Sequence, residues 1–251
     1  MRLWFGILAA TVGLGVAIAA DTIPATGGNI ELTPMTHAHV QIEFGGKVIH
    51  VDPSSQSALA TAKPADLILV TDVHGDHMDP KAIDQINKDS TIYVAPKALA
   101  DKFPGKTELI SNGETRTIDG VSVQAVASYN LQRGPKPGAF FHEKGRGNAY
   151  VLTLGGQRIF FSGDTECVPE IRALTNIDVA FITMNLPYTM PPEEAAECVK
   201  AFKPRIVYAY HYRGQDGPTP QENQQAFVAA MKGTQGIEVR TPNFYPGGTG
   251  E

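Results

Sequence analysis

Short apolar runs recur along the chain, each bounded by polar, glycine or proline residues, as is typical of buried β-strands. They predict nine strands, at residues 41–44, 47–51, 67–70, 91–94, 121–126, 149–154, 158–161, 179–183 and 206–210. Strands this short and this regularly spaced indicate a protein built around sheets rather than a helical bundle.

Helix signals lie between several of these runs. The Asp-Pro pair at residues 79–80 is an N-cap followed by proline at the first helical position. Thr219 and Glu222 form a capping box that opens a helix ending near Met231. Residues 192–202 carry apolar side chains at spacings i, i+3, i+4 and i+7, which indicates a helix face packed on a sheet. Strands interspersed with helices predict a layered α/β protein.

The first twenty residues differ in composition from the rest of the chain. Arg2 precedes an uncharged, mostly apolar stretch from Leu3 to Ala20, which ends in small residues. A basic start, an apolar core and an A-x-A-like end predict a secretory signal peptide at residues 1–20. A retained membrane anchor is the alternative, because a stretch of this length is just long enough to span a bilayer. We expect cleavage and export, most simply to a bacterial periplasm.

The remaining chain has the size and composition of a single domain. Residues 21–29 are expected to be a loose lead-in, and residues 30–251 the folded domain. Without Arg2 the formal charge changes from −5 to −6, with 20 Lys and Arg against 26 Asp and Glu. This balance excludes a broad basic surface for nucleic acid. We therefore expect a small-molecule substrate, and no membrane association once the signal peptide is removed.

Candidate chemistry concentrates directly after the predicted strand at residues 67–70. Asp72, His74, Asp76 and His77 place two imidazoles and two carboxylates within six residues. Divalent transition metals bind these nitrogen and oxygen ligands, and a tight loop can direct several of them at one point. A solvated polar turn with helix-capping aspartates is the alternative for this segment alone.

Two further ligand-type residues follow strands downstream. Asp164 lies just past the strand at residues 158–161, and His211 ends the strand at residues 206–210. Taken singly, Asp164 could be a turn residue and His211 a core histidine. Three strand-end positions that share one chemistry favour a common metal site.

With these residues the chain resembles the metallo-β-lactamase-fold hydrolase superfamily. The family's His-x-His-x-Asp-His loop corresponds to residues 72–77, its Gly-Asp pair to residues 163–164, and its late histidine to His211. Residues 36–47 resemble the opening of the branch that contains ascorbate-6-phosphate lactonase and N-acyl-phosphatidylethanolamine phospholipase D. The resemblance covers roughly residues 30–245. It implies a four-layer αββα sandwich and a pair of metals, but no particular substrate.

The ligand set that the resemblance implies is intact at only one of the two metals. The second metal site keeps Asp76, His77, Asp164 and His211, and zinc is the metal expected there. Asp164 is expected to bridge the two metals.

At the first metal site two family histidines are replaced. Asp72 stands where the loop has its first histidine, and the mid-chain histidine aligns best with Asn130, so that His74 alone is unchanged. Such an oxygen-rich site favours Mn, Fe or Mg, and we expect it to bind metal weakly. His142 is an alternative source of the missing imidazole, although its surroundings equally resemble an exposed loop.

The function implied is metal-dependent hydrolysis. A metal-bound hydroxide would attack an ester, lactone or phosphodiester, and Asp72 or Asp164 would accept a proton. The alternative is a catalytically weak or inactive protein that binds metal and ligand with the same fold. Oxygen donors at both altered positions favour the enzyme, because an inactive descendant need not retain residues able to bind metal.

Four residues are candidate substrate contacts. Asn185 and Tyr188 follow the strand at residues 179–183, on the rim where the metal ligands are expected. Arg213 comes two residues after His211 and suits an anionic group, with an ordinary surface salt bridge as the alternative. His37 either orients a metal ligand or contacts substrate.

The only two cysteines are Cys167 and Cys198. They are expected to form a disulfide that braces the Asp164 loop, because an exported protein folds in an oxidising compartment. The alternative is a small core residue at Cys198 and a free thiol at Cys167.

Overall fold

The computed structural model describes residues 20–215 and 217–245. The predicted signal peptide therefore lies outside the described residues, apart from Ala20. Within the described part of the chain, no helix has the length and hydrophobicity needed to cross a membrane.

Two seven-stranded sheets form the centre of the fold, and each comes from one half of the chain. The first sheet runs in the order β1 (Asp21–Ala25), β2 (Gly28–Thr36), β3 (His39–Phe44), β4 (Lys47–Val51), β5 (Leu67–Leu69), β6 (Ile92–Ala95) and β7 (Thr107–Leu109). The second, from one edge to the other, contains β14 (Glu238–Arg240), β13 (Ile206–Tyr210), β12 (Val179–Thr183), β11 (Gln157–Phe161), β10 (Gly147–Leu154), β9 (Val121–Ser128) and β8 (Thr115–Ile118). In each sheet the first four strands along the chain pair antiparallel and the last four pair parallel.

Strand β5 shows how the layers are assembled. Leu67 and Leu69 enter the core between the sheets, whereas Ile68 points to the other face and packs with Ile83 and Ile86 of α1. Successive strand residues face opposite sides, so a strand buried on both faces must be apolar throughout, as this one is. The helices are α1 (Pro80–Ile86), α2 (Pro169–Arg172), α3 (Pro192–Phe202) and α4 (Pro220–Met231). The layers form the αββα sandwich that the resemblance implied.

The predicted helix starts are confirmed. The Asp79 carboxylate accepts hydrogen bonds from the amides of Lys81 and Ala82 at the start of α1. Both hydrogen bonds of the Thr219–Glu222 capping box are present at the start of α4. Such caps provide hydrogen-bond partners for amides that have none within the helix. Because the capping residue is close in sequence to these amides, helix starts of this kind can be predicted from a single sequence.

The expectation of a loose lead-in at residues 21–29 is wrong. Strands β1 and β2 form a hairpin that begins at Asp21 and pairs it with Leu32. The Asp21 carboxylate also accepts a hydrogen bond from the Tyr208 hydroxyl at 2.6 Å and pairs with Arg240 at 3.0 Å. The hairpin with β2 and these side-chain contacts with β13 and β14, rather than an apolar run, order this segment.

Candidate metal centre

The metal-ligand candidates lie where strands of both sheets end. Residues 72–77 follow β5 of the first sheet, while Asp164 and His211 follow β11 and β13 of the second. Because β11, β12 and β13 are parallel neighbours, their carboxyl ends share one edge. The fold thus brings together side chains separated by more than a hundred residues.

The second metal site is a buried group formed by His77, Asp164 and His211. The Nε2 atom of His77 lies 3.3 Å from an Asp164 carboxylate oxygen, and that of His211 lies 3.1 Å from the other. The two Nε2 atoms are 3.2 Å apart. Asp76 Oδ2 is 3.7 Å from the His77 nitrogen and 3.5 Å from that of His211. Two imidazoles and two carboxylates directed at one point form a donor set able to bind a divalent metal.

His77 is oriented by Asp52, a residue that follows β4. The His77 Nδ1–H group donates to Asp52 Oδ2 at 2.9 Å, which leaves Nε2 free for a metal. The same carboxylate accepts from the amide and hydroxyl of Thr71, at 2.7 and 2.6 Å. Burial opposes the charged imidazolium, but Asp164, Asp76 and Asp52 raise the pKa of His77 well above its ordinary value. This excess of negative charge attracts a cation.

Charge also controls Asp164 itself. Burial would raise the pKa of its carboxyl, but His211 and His77 hold it well below its ordinary range. Asp164 therefore stays a carboxylate and can act as a metal ligand.

His37 supports the second metal site through Asp76. Its Nε2 lies 3.1 Å from Asp76 Oδ2, and its Nδ1 is 2.8 Å from the Tyr245 hydroxyl. Burial and the neighbouring His211 lower the pKa of His37 to about 3, so that the ring is neutral. The neutral His37 ring donates a hydrogen bond to the Asp76 carboxylate and so fixes the orientation of that carboxylate.

The first metal site consists of Asp72, His74 and His142, with ligand atoms that all lie within 4.8 Å of one another. His142 Nε2 is 3.8 Å from Asp72 Oδ2 and 3.1 Å from Asp164 Oδ2, so Asp164 lies between the two sites. His74 Nδ1 is 3.1 Å from Asp72 Oδ2. The imidazole expected to be missing from this site is thus supplied by His142.

The expectation that Asn130 is a metal ligand is wrong. Its Oδ1 accepts hydrogen bonds from the amide and Nδ1–H of His142, at 2.7 and 2.8 Å, and its Nδ2 donates to Glu166 and to the Tyr188 carbonyl. Asn130 therefore orients the imidazole. Asn130 occupies the position of the family's mid-chain histidine but supports a ligand residue instead of being one.

The carboxylate of Asp72 is paired with the guanidinium of Arg146. Arg146 donates to both carboxylate oxygens, from Nε at 3.1 Å and from its terminal nitrogen at 2.8 Å. This two-point pairing offsets the charge of Asp72 and competes with a metal for its oxygens. Asp72 is therefore less available to accept a proton than an unpaired carboxylate would be.

The residues present fit a metal pair. Among the described residues, His142 Nε2 and Asp164 Oδ1 are buried and make no hydrogen bond of acceptable geometry, although His142 Nε2 lies 3.1 Å from Asp164 Oδ2 and Asp164 Oδ1 lies 3.1 Å from His211 Nε2. Buried polar atoms without a hydrogen bond are costly, and a cation in each site would supply the partner that the atom facing it lacks.

All four predicted substrate contacts line one cleft of about 440 Å³ above the metal ligands. Besides His37, Asn185, Tyr188 and Arg213, its walls contain His74, Asp76, Phe141, His142, Asp164, Gly214 and Gln215. Asn185 also reaches a ligand, since its Nδ2 lies 3.3 Å from His211 Nδ1. The Arg213 guanidinium lies over the Tyr245 ring and donates to Gln56 at 2.9 Å.

Three supporting residues are not identified by the sequence analysis. Only the structure shows that Asp52, in the turn after β4, holds His77. Arg146 and Glu166 have no local signal, because their partners are distant in sequence. For Glu166, burial of a carboxylate next to the Asp164 loop is the feature that marks it.

Comparison with known proteins agrees with this geometry. A family model described as "Beta-lactamase superfamily domain" matches residues 31–211. A UPF0173 metal-dependent hydrolase of Thermococcus onnurineus is 32% identical over 189 residues, which cover 70% of this chain and 81% of the relative. A Parabacteroides distasonis crystal structure, described as a metal-dependent hydrolase, is 35% identical with a TM-score of 0.79 and covers 90% of this chain and 98% of that one. Igni18, a metallo hydrolase of Ignicoccus hospitalis, is 19% identical with a TM-score of 0.64, covers 85% of this chain and 96% of its own, and shows likeness of fold alone.

Proposed function

Because the chain belongs to the β-lactamase superfamily and is a metal-dependent hydrolase, we propose that it cleaves an ester, lactone or phosphodiester bond in a small anionic molecule. The observation that carries this proposal is the convergence of two ligand groups on Asp164 at the floor of an open cleft. A divalent ion bound there would lower the pKa of its water to about 7 and polarise the scissile oxygen.

The side chains around the metals have distinct tasks. Asp52, His37 and Asn130 orient the ligands, and their hydrogen bonds hold the ligand atoms toward the cleft. Asp164 lines the cleft and would accept a proton from the attacking water. Arg213 lies at the cleft wall and would bind an anionic group of the substrate.

The two sites should differ in metal affinity. We assign zinc to the second metal site, and a weaker zinc, Mn or Fe ion to the first. With His142 in place of Asn130, the first metal site is less oxygen-rich than expected, which disfavours Mg. The guanidinium of Arg146, bound to Asp72, opposes a second positive charge nearby.

Metal analysis combined with a substrate screen tests this proposal. Protein purified without chelator should hydrolyse at least one of a generic ester, a lactone or bis(p-nitrophenyl) phosphate, lose that activity on chelation and regain it with metal. Mild chelation should leave about one metal per chain. Two equally tight ions would contradict the asymmetry. Metal binding without turnover of any substrate class would favour the alternative of a binding protein.

We also propose that the chain is exported and oxidised. Support comes from the Cys167–Cys198 disulfide, which ties the segment after Asp164 to α3. Disulfides persist mainly in oxidising compartments.

Reduction of this disulfide should destabilise the mature protein. The bridge spans a sequence separation of 31 residues, for which a loop-closure model gives about 3 to 4 kcal/mol, so we expect a melting temperature lower by on the order of 10 °C. Calorimetry with and without reductant measures this, and a variant with both cysteines replaced by alanine should not respond to reductant. Intact mass should show a chain beginning near Asp21 and lacking two hydrogens. Two alkylatable thiols in native exported protein would contradict the proposal.

A further inference from the structure

Four large apolar side chains are exposed among the described residues, and two of them lie next to residues that line the cleft. Phe140 and Leu186, here called the apolar rim, are 41% and 37% exposed. Leu131 belongs to a separate pocket with Glu166 and Glu194, and Val228 lies on α4. A single exposed apolar residue is ordinary on a protein surface. Two of them beside one cleft give the apolar part of a ligand a surface to contact.

The apolar rim belongs to loops that meet at Tyr188. The Tyr188 ring packs edge-on against Phe141, the residue after Phe140, with ring centroids 5.0 Å apart. Leu186, the second rim residue, lies two positions before Tyr188 in the same loop. Tyr188 and Phe141 line the cleft, and so they connect its interior with the rim.

The loop that carries Phe140 is closed by backbone contacts. The Phe141 amide donates to the Arg133 carbonyl at 3.2 Å. A Cβ atom on Gly134 would lie 1.7 Å from the Ala139 carbonyl oxygen, so this close approach requires glycine. Arg133 donates to Glu194 of α3 at 2.7 Å and anchors the loop. Phe140 is thus presented to solvent by a closed, anchored turn.

The cleft has two chemically different parts. Its floor contains the metal-ligand carboxylates and imidazoles, with Arg213 on the wall, whereas Phe141 and Tyr188 form an aromatic wall that leads outward. A wholly polar substrate would use the floor and leave the aromatic wall and the rim exposed to water. A substrate with a polar reacting group and an apolar chain would cover both.

We propose that the substrate is amphipathic: an ester or lactone whose alkyl or acyl chain runs from the metals along Phe141 and Tyr188 and ends on the apolar rim. This inference rests on the proposed hydrolase function and narrows its substrate class. The chain contributes binding in proportion to the apolar area removed from water, so affinity and turnover efficiency rise with chain length.

A chain-length series tests the proposal with metal-loaded protein. The kcat/KM for p-nitrophenyl octanoate should exceed that for the butanoate by at least about tenfold, because four extra methylenes are partly buried. Phe140→Ser should reduce this ratio several-fold. Val228→Ser, which replaces the exposed apolar residue on α4, is the matched control and should leave the ratio unchanged. A ratio near one in the wild-type protein, or an unaltered ratio in Phe140→Ser, would overturn the proposal.

A binding measurement separates this inference from the proposed reaction. Calorimetric titration with butanoate and decanoate should show that decanoate binds at least about tenfold tighter, and that Phe140→Ser removes most of the difference. If no ester is hydrolysed but decanoate keeps this preference, the proposed reaction fails and the amphipathic site stands. If esters are hydrolysed with no dependence on chain length and decanoate has no preference, the reaction stands and the amphipathic site is refuted.

Discussion

Replacing Asp164 with alanine is expected to remove metal from both sites and to reduce hydrolysis by at least about a thousandfold. The carboxylate lies 3.1 Å from His142 of the first metal site, and 3.3 and 3.1 Å from His77 and His211 of the second. No other side chain in the described residues lies between both groups in this way. Its loss also removes negative charge from beside several imidazoles, which further lowers affinity for a cation.

Metal content per chain and steady-state rates measure this effect, with circular dichroism as the test of folding. Glu197→Ala is a suitable control, because it removes an exposed carboxylate of α3 that pairs only with Lys200 among the described residues. The control should keep wild-type metal content and activity. A folded Asp164→Ala protein with full metal content would remove the assignment of Asp164 as the shared ligand.

The sequence predicts those parts of the fold whose signals are local. Helices α1, α3 and α4 begin at prolines, and α1 and α4 also carry side-chain caps, so their starts are legible without knowledge of the tertiary structure. Strands β7, β8 and β14 are short and mostly exposed or half-buried, and no apolar run marks them. They form because a neighbouring strand offers hydrogen bonds, and that neighbour is not visible in a local window.

The candidate site also divides into residues with a local sequence signal and residues whose role depends on tertiary contacts. The loop at residues 72–77 and the strand-end positions of Asp164 and His211 are recognisable because ligand chemistry and strand pattern coincide in the sequence. The choice between Asn130 and His142 is not recognisable, because it depends on a hydrogen bond between residues twelve apart in the irregular loop between β9 and β10. The resemblance assigns the ligand position to Asn130, whereas the folded loop brings His142 into the first metal site and makes Asn130 its support.

Glu166 is expected to raise the metal affinity of the first metal site by holding Asn130, which in turn orients His142. Its carboxylate is buried and accepts hydrogen bonds from three consecutive amides, those of Leu131, Gln132 and Arg133, at 3.1, 3.1 and 2.7 Å. It also accepts from Asn130 Nδ2 at 3.1 Å. Successive amides that converge on one carboxylate order a loop. The loop ordered here contains Asn130, the residue that holds His142.

The hydrogen bonds of Asn130 leave its amide only one orientation. Nδ2 faces two acceptors, Glu166 and the Tyr188 carbonyl, while Oδ1 faces two donors on His142. A reversed amide would place donors against donors. His142 therefore carries its proton on Nδ1, and its Nε2 lone pair is available to a metal.

Glu166→Gln should weaken metal binding at the first metal site by about 10- to 100-fold and leave the second site occupied, in keeping with the effect of removing outer support from a ligand. The new amide replaces an accepting oxygen with a donor that faces backbone N–H groups, so Asn130 loses its fixed orientation. Nitrogen NMR of metal-free protein should then show a mixture of His142 tautomers instead of the Nδ1–H form alone, a change that simple loss of stability does not produce. Glu194→Gln is the matched control, since it alters the other carboxylate bound by Arg133 without touching Asn130. If Glu166→Gln keeps a single tautomer and wild-type affinity at the first metal site, Glu166 orders the loop but does not act on the metal through Asn130.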